Sequence, residues 1–241
     1  MTRDAGFTLV TGATKGIGRA ISDRLLARGE RVVGIARRAD PSYGAPLILA
    51  DLADRGARAE ALRRATAQYP VLRLVNNAGL NHMQPLGEVS HEAADEVLEL
   101  NLGVTLDATQ AVLPAMRAAG FGRIVNISSR SLLGRPGGSM YAAAKAGLVG
   151  LTRSWALELA TQGITVNCVA PGPVATEMFA RNNPPELPRS QAMLAAIPMA
   201  RMGTVQEVAA AVEYFLSPEA SFTTGQTLFV CGGASISQAR F

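Results

Sequence analysis

Cysteine, histidine, charge and long apolar runs are all in short supply in this chain, and each shortage removes a class of function. Two cysteines among 241 residues cannot form a disulfide framework. Cys168 and Cys231 lie inside apolar, strand-like runs without metal-ligand spacing, so both read as buried thiols of a reducing compartment. The two histidines, His82 and His91, have no other ligand types in company, and no metal site is expected. Charged residues make up only 17%, and no Lys/Arg cluster accompanies the net charge of +4. That pattern argues against a nucleic-acid partner and suits anionic small molecules. No apolar run approaches the ~18 residues of a membrane span. The first strand-like run starts near Phe7, leaving no room for a signal peptide, so a cytoplasmic protein with no membrane partner is expected.

What is present is an alternation of strand-like and helix-like runs with no repeat, linker or low-complexity break. FTLV (7–10) leads into TGATKGIG and a helix from about Ile17 that carries Ile21 and Leu25 on one face. RVVGIA (31–36), PLILADL (46–52), VLRLV before NNAG, GRIVNISS (122–129), ITVNCVAPG and TLFVCGG supply the remaining strands. Helices are expected over about 55–68, 91–119 and 205–216. Only nine residues, 37–45, separate the second and third strands, too few for the usual crossover helix. That helix is expected to be missing or reduced to one turn. The prediction is an α/β fold: a single doubly wound Rossmann-type domain over 1–241, with a seven-stranded parallel sheet and helices on both faces. The stretch 179–202, with Pro184, Pro185, Pro188 and Pro198, reads as a mobile flap that selects substrate.

The turn after the first strand carries Gly12, Gly16 and Gly18, which allow a tight bend and close backbone approach. A strand, a glycine turn and a helix N-terminus make an anion site for a pyrophosphate. The spacing is GxxxGxG, unlike the GxGxxG of the usual dinucleotide fingerprint. NAD-binding sheets place an acid at the tip of the second strand to hold the ribose 2′-hydroxyl. Here Ala36 stands at that tip, followed by Arg37 and Arg38, with Lys15 in the glycine turn. Cations without a carboxylate suit a 2′-phosphate, so NADP(H) is predicted ahead of NAD(H).

The run from Ser128 to Lys145 joins a serine pair to YAAAK through a short glycine-rich loop. Four residues advance a helix by about 6 Å and ~40°, so Tyr141 and Lys145 project from one face. A phenol titrates near pH 10 and transfers few protons at neutral pH. An ammonium ~5 Å away, at an effective dielectric of about 20, favours the phenolate by roughly 3 kcal/mol. That is about two pKa units, enough for a working proton donor. By itself YxxxK also describes a surface tyrosine beside a solvated lysine. Asn101, set among Val97, Leu98, Leu102 and Val104, must find hydrogen-bond partners or cost about 1–3 kcal/mol.

TGATKGIG, Asp51, NNAG, Asn101, the ISS serine, YAAAK, PG with Thr176, and the closing GQTLFV occur in one order along nearly the whole chain. In that order they resemble the short-chain dehydrogenases/reductases, and in overall character their 3-oxoacyl carrier-protein reductases. The resemblance implies an oxidoreductase that interconverts a ketone and a secondary alcohol. Tyr141 would be general acid in reduction and base in oxidation, with Lys145 lowering its pKa and holding the nicotinamide ribose. Asn101 would position a water that links Lys145 to solvent. The family serine sits thirteen residues before the tyrosine, which picks Ser128, whereas alignment from the strand picks Ser129. Side chains alternate along a strand, so only one of the pair faces the site; Ser129 is chosen, with Ser128 as the alternative.

For the cofactor, the resemblance implicates Gly12, Thr14, Lys15, Gly16, Ile17 and Gly18 in the turn, with Lys15 and Arg37 selecting NADP. Asp51 and Leu52 would flank the adenine, and Asn77, Ala78 and Gly79 the adenosine side. Val174 and Thr176 would hold the carboxamide, with Pro171 and Gly172 in the same turn. Such reductases dock their acidic carrier through basic residues shortly before the fifth and sixth strands, places held here by Gly120 and Gln162. A free ketone, alcohol or acyl thioester is therefore at least as well suited as a carrier-bound one. Arg130, directly after the serine, is a candidate for meeting an anionic substrate. A cofactor-sensing, non-catalytic relative is the alternative, but such a protein usually loses the tyrosine or lysine kept here. The family is typically tetrameric, and a homotetramer built on the Asn101 and Tyr141 helices is expected.

Overall fold

A computed structural model describes residues 6–184 and 186–237. Seven strands form one parallel sheet: β1 (Phe7–Thr11), β2 (Val32–Ala36), β3 (Leu47–Leu49), β4 (Val71–Asn76), β5 (Gly122–Ile127), β6 (Ile164–Pro171) and β7 (Thr227–Val230). Their spatial order is β3-β2-β1-β4-β5-β6-β7, so the chain reverses direction between β1 and β4. β2, β4, β5 and β6 are buried along their whole length. Strands covered on both faces have no solvent side to make polar, so they are largely apolar without a regular alternation. The polar residues they carry, such as Asn76, Asn126 and Asn167, are buried.

Helices α1 (Gly16–Ala27) and α8 (Val205–Leu216) pack on one face around Ile21, Leu25, Val208 and Val212. Helices α2 (Arg55–Gln68), α4 (Val104–Ala119) and α5 (Ser139–Leu159) cover the other, around Leu62, Val112 and Leu159. Local signals set their ends. Asp54 caps α2 by accepting from Ala57 N at 2.8 Å, and Thr204 with Glu207 closes a capping box on α8. Gly120, in the left-handed region at φ 57°, ends α4.

No helix bridges β2 and β3, as their spacing implies. Instead Arg19 on α1 holds the connecting loop, donating to Asp40 Oδ2 at 2.9 Å, Ser42 Oγ at 3.1 Å and the Ser42 carbonyl at 3.0 Å. Buried Tyr43 docks beneath, its hydroxyl 3.0 Å from Ser22 Oγ.

Two features differ from expectation. The helix predicted over 91–119 is continuous, but between α3 (His91–Leu98) and α4 it widens into a π turn, Glu99–Gly103, with Asn101 at its centre. The flap is not irregular throughout: it contains α6 (Glu177–Asn182) and α7 (Pro188–Ala195). Thr176 caps α6 by accepting from Phe179 N at 3.1 Å, and Pro188 opens α7 at a position where a missing N–H costs nothing. Among the described residues no helix is long and apolar enough to cross a membrane. Cys168 is buried as expected, whereas Cys231 is only half-buried.

Candidate active site

The carboxyl ends of β1, β2, β4, β5 and β6 converge where the sheet reverses, the place such folds bind ligands. Gly12 and Gly16 turn the chain there with φ of 66° and 53°. A Cβ on Gly18 would sit 2.3 Å from the Gly12 carbonyl oxygen and 2.5 Å from Asn77 Nδ2, so α1 starts against the turn only because that carbon is absent. Asn77 Nδ2 donates to the Thr11 and Gly12 carbonyls at 3.0 and 3.2 Å. Its side chain therefore braces the glycine turn. Thr11 Oγ1 accepts from the backbone N–H of both Asn77 and Ala78 at 3.0 Å, a stitch between β1 and β4 that the sequence reading missed.

Thr14, Lys15 and Gly16 line one side of a cleft of about 440 Å³, with Ala175, Thr176 and Glu177 on the other. Ile17 begins α1 beside them. Lys15 Nζ is paired with Glu177 Oε2 at 2.8 Å, so one of the two cations read as phosphate ligands already has a carboxylate. Arg37 and Arg38 are exposed at the end of β2. Asp51 follows β3 and accepts from Ala53 N at 3.0 Å, while Leu52 is buried beneath it. Pro171 ends β6, and Gly172 passes so close to β7 that a Cβ would lie 2.7 Å from Cys231 Cα. Val174 is buried and bridges Gly203; Thr176 lies against Gly16.

β5 delivers the two serines to opposite duties. Ser128 is buried and donates to the Lys145 carbonyl at 2.7 Å, tying the strand to α5. Ser129 accepts from Ser131 N at 3.1 Å and its hydroxyl stabilises a phenolate at Tyr141 by hydrogen bonding. The geometry brings Ser129, not Ser128, to the tyrosine.

Lys145 is 4% exposed, donates to the Ile127 carbonyl at 2.9 Å, and lies 5.5 Å from the centre of the Tyr141 ring. Burial pushes its ammonium down to about 8. The phenol moves the other way: burial raises it above its ordinary value, opposed by the Ser129 hydrogen bond and the charge of Arg135. On balance the phenol is thus raised, where a net lowering beside Lys145 is the expectation from spacing. Both groups are desolvated, and the ammonium donates to a strand carbonyl.

Asn101 is fully buried, and its Nδ2 donates to the Val97 and Leu80 carbonyls at 2.8 Å each. Thr105 Oγ1 takes the Asn101 carbonyl at 2.9 Å, so the π turn is held open by side chains. Asn101 Oδ1 has no partner among the described residues, although it is buried. A Cβ on Gly79 would lie 2.7 Å from that oxygen and 3.3 Å from Lys145 Nζ, so the orphan acceptor and the buried cation flank one glycine. A water bound there would satisfy both.

Arg130, the sequence candidate for an anionic substrate, instead donates Nε to the Ala234 carbonyl at 3.0 Å. Arg135, on the loop before α5, was missed; only its place six residues ahead of the tyrosine hinted at it. His82 pairs with Glu96 at 2.8 Å.

The family profile described as Enoyl-(Acyl carrier protein) reductase matches residues 12–235. The chain is 37% identical to the 3-oxoacyl-(acyl-carrier-protein) reductase FabG of Salmonella typhimurium, over 97% of this chain and 98% of that one. Among solved structures, a Beutenbergia cavernae protein assigned as an NAD(P) dependent gluconate 5-dehydrogenase, with NADP bound at low occupancy, superposes with a TM-score of 0.89. It is 37% identical, over 96% of this chain and 97% of that one. The aldohexose dehydrogenase of Thermoplasma acidophilum superposes with a TM-score of 0.91 at 30% identity, covering 98% and 96% of the two chains. With a serine, tyrosine, lysine and asparagine gathered beside a glycine turn on this sheet, the chain belongs to the short-chain dehydrogenases/reductases.

Proposed function

We propose that this chain is an NADP(H)-dependent oxidoreductase that interconverts a ketone and a secondary alcohol, with Tyr141 as the proton-transferring group. The observation that carries the reading is the convergence of Ser129, Tyr141, Lys145 and Asn101 at the carboxyl ends of β4 and β5, beside the glycine turn. Bound in the cleft, the nicotinamide supplies or accepts the hydride.

The chain's residues fit such a cofactor. The left-handed turn at Gly12 and Gly16 opens on the N-terminus of α1, which suits a pyrophosphate. Exposed Arg37 matches a 2′-phosphate that Lys15 would join on leaving Glu177. Ser129 orients the carbonyl oxygen, and Tyr141 gives it a proton. Lys145, still charged at pH 7, stabilises the phenolate left behind. A water between Asn101 Oδ1 and Lys145 Nζ connects the pair to solvent.

The substrate class is a small ketone or alcohol, or an acyl thioester. The relative FabG is named for a carrier-bound oxoacyl substrate, and the Beutenbergia neighbour for a sugar acid. Gly120 and Gln162 stand where a carrier-binding member is expected to be basic, although Arg117 Nε donates to Gln162 Oε1 at 2.8 Å and brings a cation to the same patch. We also propose a homotetramer. Leu106 on α4 and Leu157 on α5 are exposed, Leu157 by 84%, and a second apolar group, Phe222, Leu228 and Ile236, lies near β7.

Following NADPH and NADH oxidation side by side, against a panel of ketones and one oxoacyl thioester, tests the reading. Turnover with at least tenfold higher kcat/KM for NADPH is expected. Comparable efficiency with NADH would overturn the cofactor assignment, and no turnover of any substrate would favour a cofactor-sensing protein.

A further inference from the structure

Arg19 lines the cleft with Thr14, Lys15 and Gly16, where a cation reads at first as one more phosphate ligand. Its guanidinium is already committed elsewhere. Nε donates to both carboxylate oxygens of Asp23, at 2.7 and 2.9 Å. Nη1 donates to Asp40 Oδ2 at 2.9 Å and Ser42 Oγ at 3.1 Å, and Nη2 to the Ser42 carbonyl at 3.0 Å. Every nitrogen of the fork is engaged, by α1 itself or by the loop that follows β2.

The loop side of this contact is built to receive it. Asp40 Oδ1 accepts from Ser42 N at 3.0 Å and from Ser42 Oγ at 2.7 Å, and Tyr43 N donates to the Asp40 carbonyl at 3.0 Å, which closes a turn. Tyr43 is buried, with the Arg19 guanidinium 5.9 Å from its ring centre. It docks there because Gly34 of β2 lacks a Cβ, which would lie 2.6 Å from the Tyr43 hydroxyl oxygen. That hydroxyl donates to Ser22 Oγ at 3.0 Å, and Ser22 donates to the Gly18 carbonyl at 3.0 Å. A hydrogen-bonded path thus runs from the first turn of α1 to the loop.

The segment held between these anchors is the one that carries the arginines. β2 ends at Ala36, and only Arg37, Arg38 and Ala39 stand between it and Asp40. No helix bridges β2 and β3 to support them. An exposed arginine on an untethered loop has to be ordered when it grips a phosphate, and that ordering weakens binding. With Ala36 fixed in the sheet and Asp40 and Ser42 fixed by Arg19, the arginines are presented before a ligand arrives. Resting on the NADP(H) reading above, we infer that Arg19 is a positioning residue for the cofactor 2′-phosphate. It sets the discrimination between NADP(H) and NAD(H) through Arg37 and Arg38, without being a phosphate ligand itself.

The test measures dissociation constants of NADPH and NADH from nicotinamide fluorescence, with no substrate present, on the wild type, R19Q, R19K and D40N. The wild type should bind NADPH at least tenfold more tightly than NADH. R19Q should weaken NADPH at least fivefold and leave NADH within about twofold, which also verifies folding. R19K keeps the charge but not the planar fork, and should fall between the two. D40N separates positioning from direct contact, because it removes a carboxylate from the arginine loop while cutting the Arg19 tether. On charge alone, or with Arg19 released to become a ligand, D40N would bind NADPH more tightly; positioning requires it to bind NADPH at least threefold more weakly. Should R19Q fail to fold, the sign of the D40N effect decides. NADPH affinity unchanged or tighter in D40N, or equal losses for both cofactors in R19Q, would overturn the inference while the NADP(H) reading stands. A wild type that binds the two cofactors alike would overturn both.

Discussion

Ser128 and Ser129 differ by one position and by everything their hydroxyls touch. Ser128 is committed to the Lys145 carbonyl and Ser129 reaches Tyr141. Ser129→Ala should lower kcat at least a hundredfold, whereas Ser128→Ala should retain much of the turnover and lose about 1 kcal/mol of stability, the usual worth of a buried hydrogen bond. Steady-state rates and denaturant melts on both variants check this; the opposite ranking would move the role to Ser128. Lys145 sets the pH dependence. Its ammonium is buried among Tyr141, Asn101 and the Cys168 thiol, itself pushed up to about 11 by burial. With the lysine down at about 8, reductive kcat/KM should hold below pH 8 and fall above it as the charge is lost. The stability contribution has the opposite sense. The folded pKa lies below the unfolded value of 10.5, so the cost of the buried charge is present below pH 8 and relieved between about 8 and 10.5. A rate profile flat through pH 9.5 would contradict the charged-lysine role.

The π turn is where an element, rather than a residue, makes the site. It aims Asn101 at Gly79, and it is anchored from outside by Glu99, which takes Arg55 at 2.8 Å and buried Arg58 at 2.7 Å. Those two guanidinium groups hold the Glu99 carboxyl down at about 2. Because Arg58 is 3% exposed and keeps Asp107 and the Leu52 carbonyl, Glu99→Gln should cost roughly 2 kcal/mol rather than the full penalty of a stranded charge. Calorimetry should register that loss at pH 7 and no difference from wild type well below pH 2, where the wild-type carboxyl is protonated too. An unchanged melting temperature at pH 7 would show the network to be idle.

Elements of this kind mark the limit of what the sequence discloses. Buried strands such as VLRLV and caps such as Thr204 with Glu207 carry local signals, and the sheet, α2 and α8 were readable from them. The glycine turn, Asn101 and YAAAK were readable because their spacing matches their chemistry. The π turn, α6 and α7, the bracing role of Asn77, the diversion of Arg130 and the cation at Arg135 depend on distant partners and on burial. The same holds for the phenol's upward shift: spacing gives a distance, whereas desolvation comes from the whole fold.

At the scale of the molecule, one sheet places a cofactor cleft, a proton donor and a flap along a single line of strand ends. Leu157 on α5 and Phe222 near β7 stand open to solvent, on the two faces where the proposed homotetramer would be built. Light scattering should give a tetramer at micromolar concentration, with Leu157→Asp reducing it to a smaller species; a monomeric wild type would contradict the assembly. The central claim, proton transfer by Tyr141 beside a bound nicotinamide, is tested most directly with Tyr141→Phe. NADPH affinity and NADPH oxidation with a ketone are measured on the same preparation. Affinity within about threefold of wild type and a kcat lowered at least a thousandfold are expected; a variant that binds NADPH and turns over at the wild-type rate would contradict the account.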